Sequence, residues 1–148
     1  MATFRSLLVP IDGSEPSEVA LSLALTLAKE WGAHVTFCYV VDWFALSQEA
    51  VGAQMAGGAG SLIAEDEARG RSLVDAAQKR ALSAALSAMG EVLSGAPAQT
   101  IIEYTKSHSI DLIVIGTHGR GGLVRLVLGS TAEGVLRHST VPVLTVRP

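Results

Sequence analysis

Cysteine is almost absent from this chain: 148 residues contain one, Cys38. An intrachain disulfide framework is therefore excluded, and a lone thiol inside an apolar run reads as a small buried hydrophobe in a reducing compartment. Aromatic residues make up 5% of the chain and charged residues 17%. The charge is nearly balanced, 11 basic against 14 acidic residues for a net of −3, so nothing favours nonspecific binding to nucleic acid or an anionic membrane surface. No apolar run approaches the ~20 residues of a membrane span, and Leu7-Leu8-Val9-Pro10-Ile11 is too short for a secretory signal. The expectation is a single soluble domain over residues 1–148, cytoplasmic and rich in alanine-bearing helices.

What is present alternates between two periods. Leu7 to Ile11 is a short apolar strand, followed by Asp12-Gly13-Ser14 with Ser14 as N-cap and Pro16 in the first turn of a helix. Ala20, Leu23, Ala24, Leu27, Ala28 and Trp31 form one helical face, and Gly32 ends it. A second buried strand runs from Val35 to Val41 and closes at Asp42. From Trp43 to Leu62, four glycines among small residues show no sustained period, which predicts a long loop serving as a lid or an inserted connection. A helix is expected from Ala64 to about Met89, carried in part by Leu82, Leu86, Met89 and Leu93. A very short third strand, Glu91-Val92-Leu93-Ser94, then precedes a helix marked by Ala98, Ile101, Ile102 and Thr105. The strongest strand signal is Asp111-Leu112-Ile113-Val114-Ile115; Ala132, Val135, Leu136 and Ser139 mark a last helix, and Val141 to Val146 a last strand. Such alternation predicts an open five-stranded parallel sheet with helices on both faces, joined by right-handed crossovers. Ligands of such sheets bind beyond the carboxyl ends of strands at the switch point, where Asp12 and Gly116 would face one crevice if strands one and four are neighbours.

The stretch after the fourth strand carries the chemistry. Gly116-Thr117-His118-Gly119-Arg120 is followed by Gly129-Ser130-Thr131, and Ser130 with Glu133 has the spacing of a capping box. A strand, a glycine-rich loop and a helix N-terminus suit an anion, because free backbone N–H groups and the helix dipole both favour negative charge. No G-x-x-x-x-G-K-[ST] sequence occurs, which excludes a P-loop; Gly119-Arg120-Gly121 begins a G-x-G, but Val124 stands where the dinucleotide fingerprint needs its third glycine. Arg120 has the better claim to a phosphate than Arg125, and His118 reads as a surface residue. His34, His108 and His138 show no metal-ligand spacing.

Gly116-x-x-Gly119, nine residues, then Gly129-Ser130 resembles the ATP-binding branch of the universal stress protein family. The resemblance extends to Val9-Pro10-Ile11-Asp12-Gly13-Ser14, Val40-Val41-Asp42, Gly95-Ala96-Pro97 and Val141-Pro142-Val143-Leu144-Thr145-Val146. It implies a Rossmann-like, adenine nucleotide alpha hydrolase-like fold whose third strand is an edge, here shortened. It also implies adenine beside Val40, with Pro10 and Asp12 bordering base and ribose, and Gly116, Thr117, Gly119 and Arg120 in the loop that approaches ribose and phosphates. Gly129, Ser130 and Thr131 would meet the β- and γ-phosphates. Mg²⁺ or Mn²⁺ would ride on those phosphates, with Asp12 its one evident carboxylate. The low-charge final strand at the opposite edge implies a homodimer. Three functions remain open: an ATP-dependent sensor with at most slow hydrolysis, a phosphotransferase or ligase, and a structural stress module without nucleotide. No nucleophile is paired with a base, which favours the first.

Overall fold

Side chains alternate across the strands, and two helical layers take the two sets. In β1 (Ser6–Pro10), Leu7 and Val9 face one side and Leu8 the other. β2 (His34–Val41) sends Val35, Phe37, Tyr39 and Val41 to the first side and Cys38 to the second. β4 (Leu112–Gly116) divides Leu112 and Val114 from Ile113 and Ile115 in the same way. This is the pattern of a sheet covered on both faces, with apolar residues predominating on each side of the strands. α1 (Glu15–Trp31) and α3 (Ala59–Ser83) cover the first face; α4 (Pro97–Ser107) and α5 (Ser130–His138) cover the second. β3 (Ala88–Ser94) and β5 (Val143–Val146) are the edges of an all-parallel sheet in the order β3-β2-β1-β4-β5. This computed structural model describes residues 3–53, 58–117 and 128–148.

The first β-α unit follows its sequence signals. Ser14 is the N-cap of α1 and its side chain accepts from the Ser17 N–H, while Gly32 takes the left-handed C-cap at φ 64°. β1 and β4 are neighbours, which meets the condition for Asp12 and Gly116 to face one crevice.

Three expectations fail. The segment from Trp43 to Leu62 is not a long loop: α2 (Trp43–Gly52) and the start of α3 occupy its described residues. Asp42 caps α2 by accepting from the Ala45 N–H at 3.0 Å, and α2 packs against α3. Gly52 is the last residue of α2, Gly58 is the N-cap of α3 at φ 65°, and Gly60 sits in its first turn, so these glycines punctuate helices. The third strand is not short either. β3 has seven residues and pairs with β2 throughout, from Val35 with Ala88 to Val41 with Ser94. α3 ends at Ser83, and Ala85 at φ 60° turns the chain, so Leu82 and Met89 belong to different elements. Gly90 lies within the strand because α3 crosses it closely: a Cβ there would be 3.0 Å from the Val74 Cβ and 3.1 Å from its carbonyl oxygen. Finally, Ser130 does not cap α5. Gly129 is the N-cap, with its carbonyl accepting from the Glu133 N–H at 2.9 Å, and no side-chain cap bond is made.

Candidate functional site

The chain leaves β1 toward β2 and leaves β4 toward β5, so the sheet opens a crevice where these central strands end. The β1–α1 turn forms one lip. Asp12 Oδ1 accepts from both the N–H (2.9 Å) and the hydroxyl of Ser14, and the Asp12 N–H donates to Ser17 Oγ at 3.1 Å. Gly13 at φ 83° makes the turn, and Arg69 of α3 donates to the Asp12 carbonyl at 3.4 Å. The carboxylate is thus oriented by the start of α1, with Oδ2 left unpartnered among the described residues.

β4 meets this turn through Gly116. A Cβ at that position would lie 2.7 Å from the carbonyl carbon and 2.8 Å from the carbonyl oxygen of Pro16. The first turn of α1 therefore rests directly on the end of β4, a packing reason for glycine additional to any approach by a ligand. Beyond it, the Thr117 N–H donates to Val146 and the Thr117 carbonyl accepts from Gly129 N–H at 2.6 Å, which brings the start of α5 beside β4. The N–H groups of Ser130, Thr131 and Ala132 fall in the first turn and have no acceptor among the described residues. They are the anion-binding feature of the crevice.

The opposite wall comes from β2, α2 and α3. Tyr39 donates its hydroxyl to Asp66 Oδ1 at 2.6 Å, and its ring lies where a Cβ on Gly70 would be. Asp42 and Glu49 of α2 add carboxylates to that wall. Together these elements enclose a cavity of about 410 Å³. Pro10, Asp12, Val40, Gly116, Thr117, Gly129, Ser130 and Thr131 all line it; Gly119 and Arg120, with His118 and Arg125, lie outside the described residues. Among the described residues no group of three potential metal ligands exists, so Asp12 stands without a protein-built metal cage.

Cys38 reaches the inner end of the cavity but is fully buried, and burial foremost, with the negative charge of Glu91, pushes its thiol up to about 12. It remains a protonated hydrophobe, as expected from its apolar run. Sequence reasoning missed Ser17, Tyr39, Glu49 and Asp66. Glu49 and Asp66 lie on or beyond the stretch taken for a loop; the Asp42 cap was the one local signal that a helix follows. The cavity is polarised, with first-turn N–H groups of α5 that have no acceptor among the described residues at one end and carboxylates toward α2 and α3. It suits an elongated ligand with an anionic end and a hydrogen-bond-donating end.

Comparison with known proteins agrees with this architecture. The sequence profile described as the universal stress protein family matches residues 3–147. A universal stress protein of Methanocaldococcus jannaschii is 37% identical over 148 residues, covering 97% of this chain and 82% of that one. Among solved structures, the universal stress protein UspA from Lactobacillus plantarum superposes with a TM-score of 0.85 at 28% identity, over 99% of this chain and all (100%) of that one. Two more distant structures share the fold: a universal stress protein in complex with cAMP (TM-score 0.72, 22% identity, 99% and 98% covered) and one from Archaeoglobus fulgidus in complex with dAMP (0.68, 18%, 98% and 99%).

Proposed function

The chain belongs to the universal stress protein family, and we propose that within it this protein binds ATP and acts as a nucleotide-dependent sensor or regulator in stress response. One observation carries the reading: the first turn of α5, Ser130, Thr131 and Ala132, whose N–H groups have no acceptor among the described residues, lines the same cavity as Asp12 and Val40, at the switch point of the sheet. Phosphates placed at α5 would direct the nucleoside toward β1 and β2, with adenine beside Val40 and ribose beside Asp12. The cAMP and dAMP complexes of distant relatives support an adenine nucleotide as the ligand class. Gly119 and Arg120 join this proposal as loop residues near the phosphates.

A divalent cation fits the same arrangement in a limited way. Mg²⁺ is usually held mainly by substrate phosphates with one or two carboxylates, so the ion would ride on the phosphates at α5, in the cavity that Asp12 also lines. Mg²⁺ or Mn²⁺ would neutralise phosphate charge there. With backbone donors and a metal, and no base paired with a nucleophile among the described residues, this reading expects hydrolysis to be slow at most.

The β5 edge supports a homodimer. Val143, Leu144 and Thr145 are only partly buried, and β5 has no strand on its outer side, so pairing with its two-fold mate would cover it. Light scattering at micromolar concentration tests this; a monomer would refute it.

The test of nucleotide binding is mass spectrometry of small molecules released when freshly purified protein is denatured. ATP is the expected result. No nucleotide after gentle purification, together with no binding of added ATP, would replace the reading with a structural module. Product formation sustained well above trace levels would replace sensor with enzyme.

A further inference from the structure

Ser17 is the least expected residue in the cavity. It is the third residue of α1, it lines the crevice, and it is only 4% exposed. Its position is forced from two sides: Pro16, just before it, rests on Gly116 of β4, and the Asp12 N–H donates to its Oγ at 3.1 Å. That bond uses the hydroxyl as an acceptor. Its own proton has no acceptor among the described residues. A nearly buried hydroxyl whose proton lacks an acceptor is unfavourable unless something entering the cavity accepts it.

We propose that Ser17 is a ligand-binding residue that donates to a ribose hydroxyl of the bound nucleotide; this rests on the nucleotide reading above. The argument for a hydroxyl comes from the pairing of Ser17 with Asp12. Asp12 Oδ2 is acceptor-only and unpartnered among the described residues, while the Ser17 hydroxyl is left only to donate. A group satisfying both must donate and accept at once. A phosphate oxygen cannot donate, and its charge would repel the carboxylate. An adenine edge offers its donor and acceptor on separate atoms, and the nucleotide reading above places that base beside Val40. A ribose hydroxyl does both, so the Asp12–Ser17 pair reads sugar, leaving phosphate to α5.

The test is a chemical double-mutant cycle by titration calorimetry, using ATP, 2′-deoxy-ATP and 3′-deoxy-ATP with the parent protein and Ser17→Ala. The parent is expected to bind one of the two deoxy analogues about tenfold more weakly than ATP. Ser17→Ala should bind ATP more weakly than the parent but show a reduced penalty for that same deoxy analogue, because the hydroxyl has lost one of its partners. Penalties that multiply independently for both analogues, or unchanged ATP affinity in Ser17→Ala, would overturn the assignment. A general loosening of the Asp12 turn would weaken all three ligands alike and so does not imitate the expected result. If Ser17→Ala fails to fold, Ser17→Cys keeps the volume with a weak donor, and the same cycle decides. A parent protein that binds none of the three nucleotides overturns the nucleotide reading itself, an outcome distinct from any difference between variants.

Discussion

Gly70→Ala is a perturbation for which helix propensity and packing disagree on sign. Gly70 lies in the middle of α3, where alanine favours the helix by about 1 kcal/mol. Packing opposes it. The new Cβ would collide with Cδ1 of the Tyr39 ring and lie 2.8 Å from Cγ and 3.0 Å from Cε1. Tyr39 is 1% exposed and its hydroxyl is tied to Asp66, so the ring has little freedom to yield. Overpacking of this kind costs about 1–3 kcal/mol, and losing a hydrogen bond to a charged acceptor about 1.5–3 kcal/mol. The net is a destabilisation of about 2–4 kcal/mol, read as a lower urea midpoint at unchanged slope. Gly60→Ala is the matched control in the same helix: nothing lies within 4 Å of its added methyl, so a small gain in stability is expected. Tyr39→Phe keeps the ring and removes the hydroxyl that donates to Asp66, separating the packing loss from the hydroxyl's. A Gly70→Ala protein as stable as its parent would show that the ring yields freely, and the view of α3 as a wall fixed onto β2 would fail.

Three further expectations concern the cavity and its floor. Gly129→Leu should fold, because the Gly129 backbone at φ −62°, ψ 155° is open to any residue, yet its bulk at the N-cap should abolish ATP binding; undiminished affinity in calorimetry would refute a phosphate at α5. Gly116→Ala should lose stability by about 1–3 kcal/mol in urea unfolding, since the Pro16 backbone it strikes cannot rotate away, and an unchanged midpoint would refute the close packing of α1 on β4. For Cys38, the folded state holds the thiol protonated to about pH 12, while the unfolded chain ionises it near the ordinary thiol value of 9.0. The contribution is therefore fully present below the unfolded value and falls as pH rises from there toward the folded one, by about 1.4 kcal/mol per pH unit at most. Urea unfolding at pH 8 and pH 10.5 should show a steeper loss in the parent than in Cys38→Ala; equal losses would refute the shift.

How far the fold could be read from the residues depends on whether one element's signal was confined to that element. β1, β2 and β4 are dominated by apolar and β-branched residues and closed by Asp12, Asp42 and Gly116, and α1 carries both its caps, so their placement needed no tertiary information. The crevice followed from them, because its first lip and its floor are the ends of those strands. β3 was harder. Its pattern is half-buried, Gly90 interrupts it for the sake of Val74 on a helix distant in sequence, and the preceding helix shares its spacing of leucines. α2 was harder still: one buried residue, Ala50, gives no periodicity, and its stability comes from packing on α3. The parts of the cavity missed by local reading are accordingly those whose position another element decides.

Ser17 shows the same limit within a correctly read helix. Its sequence context says only that it lies in the first turn of α1, where serine is unremarkable. What turns it into a cavity residue is the contact of Pro16 with Gly116, a hundred residues further along the chain, which presses that turn into the gap between β1 and β4. Glycine at 116 was read as room for a ligand; its first effect is room for α1. The two roles are compatible, and the second produces the first: without the close approach of α1, the Ser17 hydroxyl and the Asp12 carboxylate would not face one cavity with the N-terminus of α5.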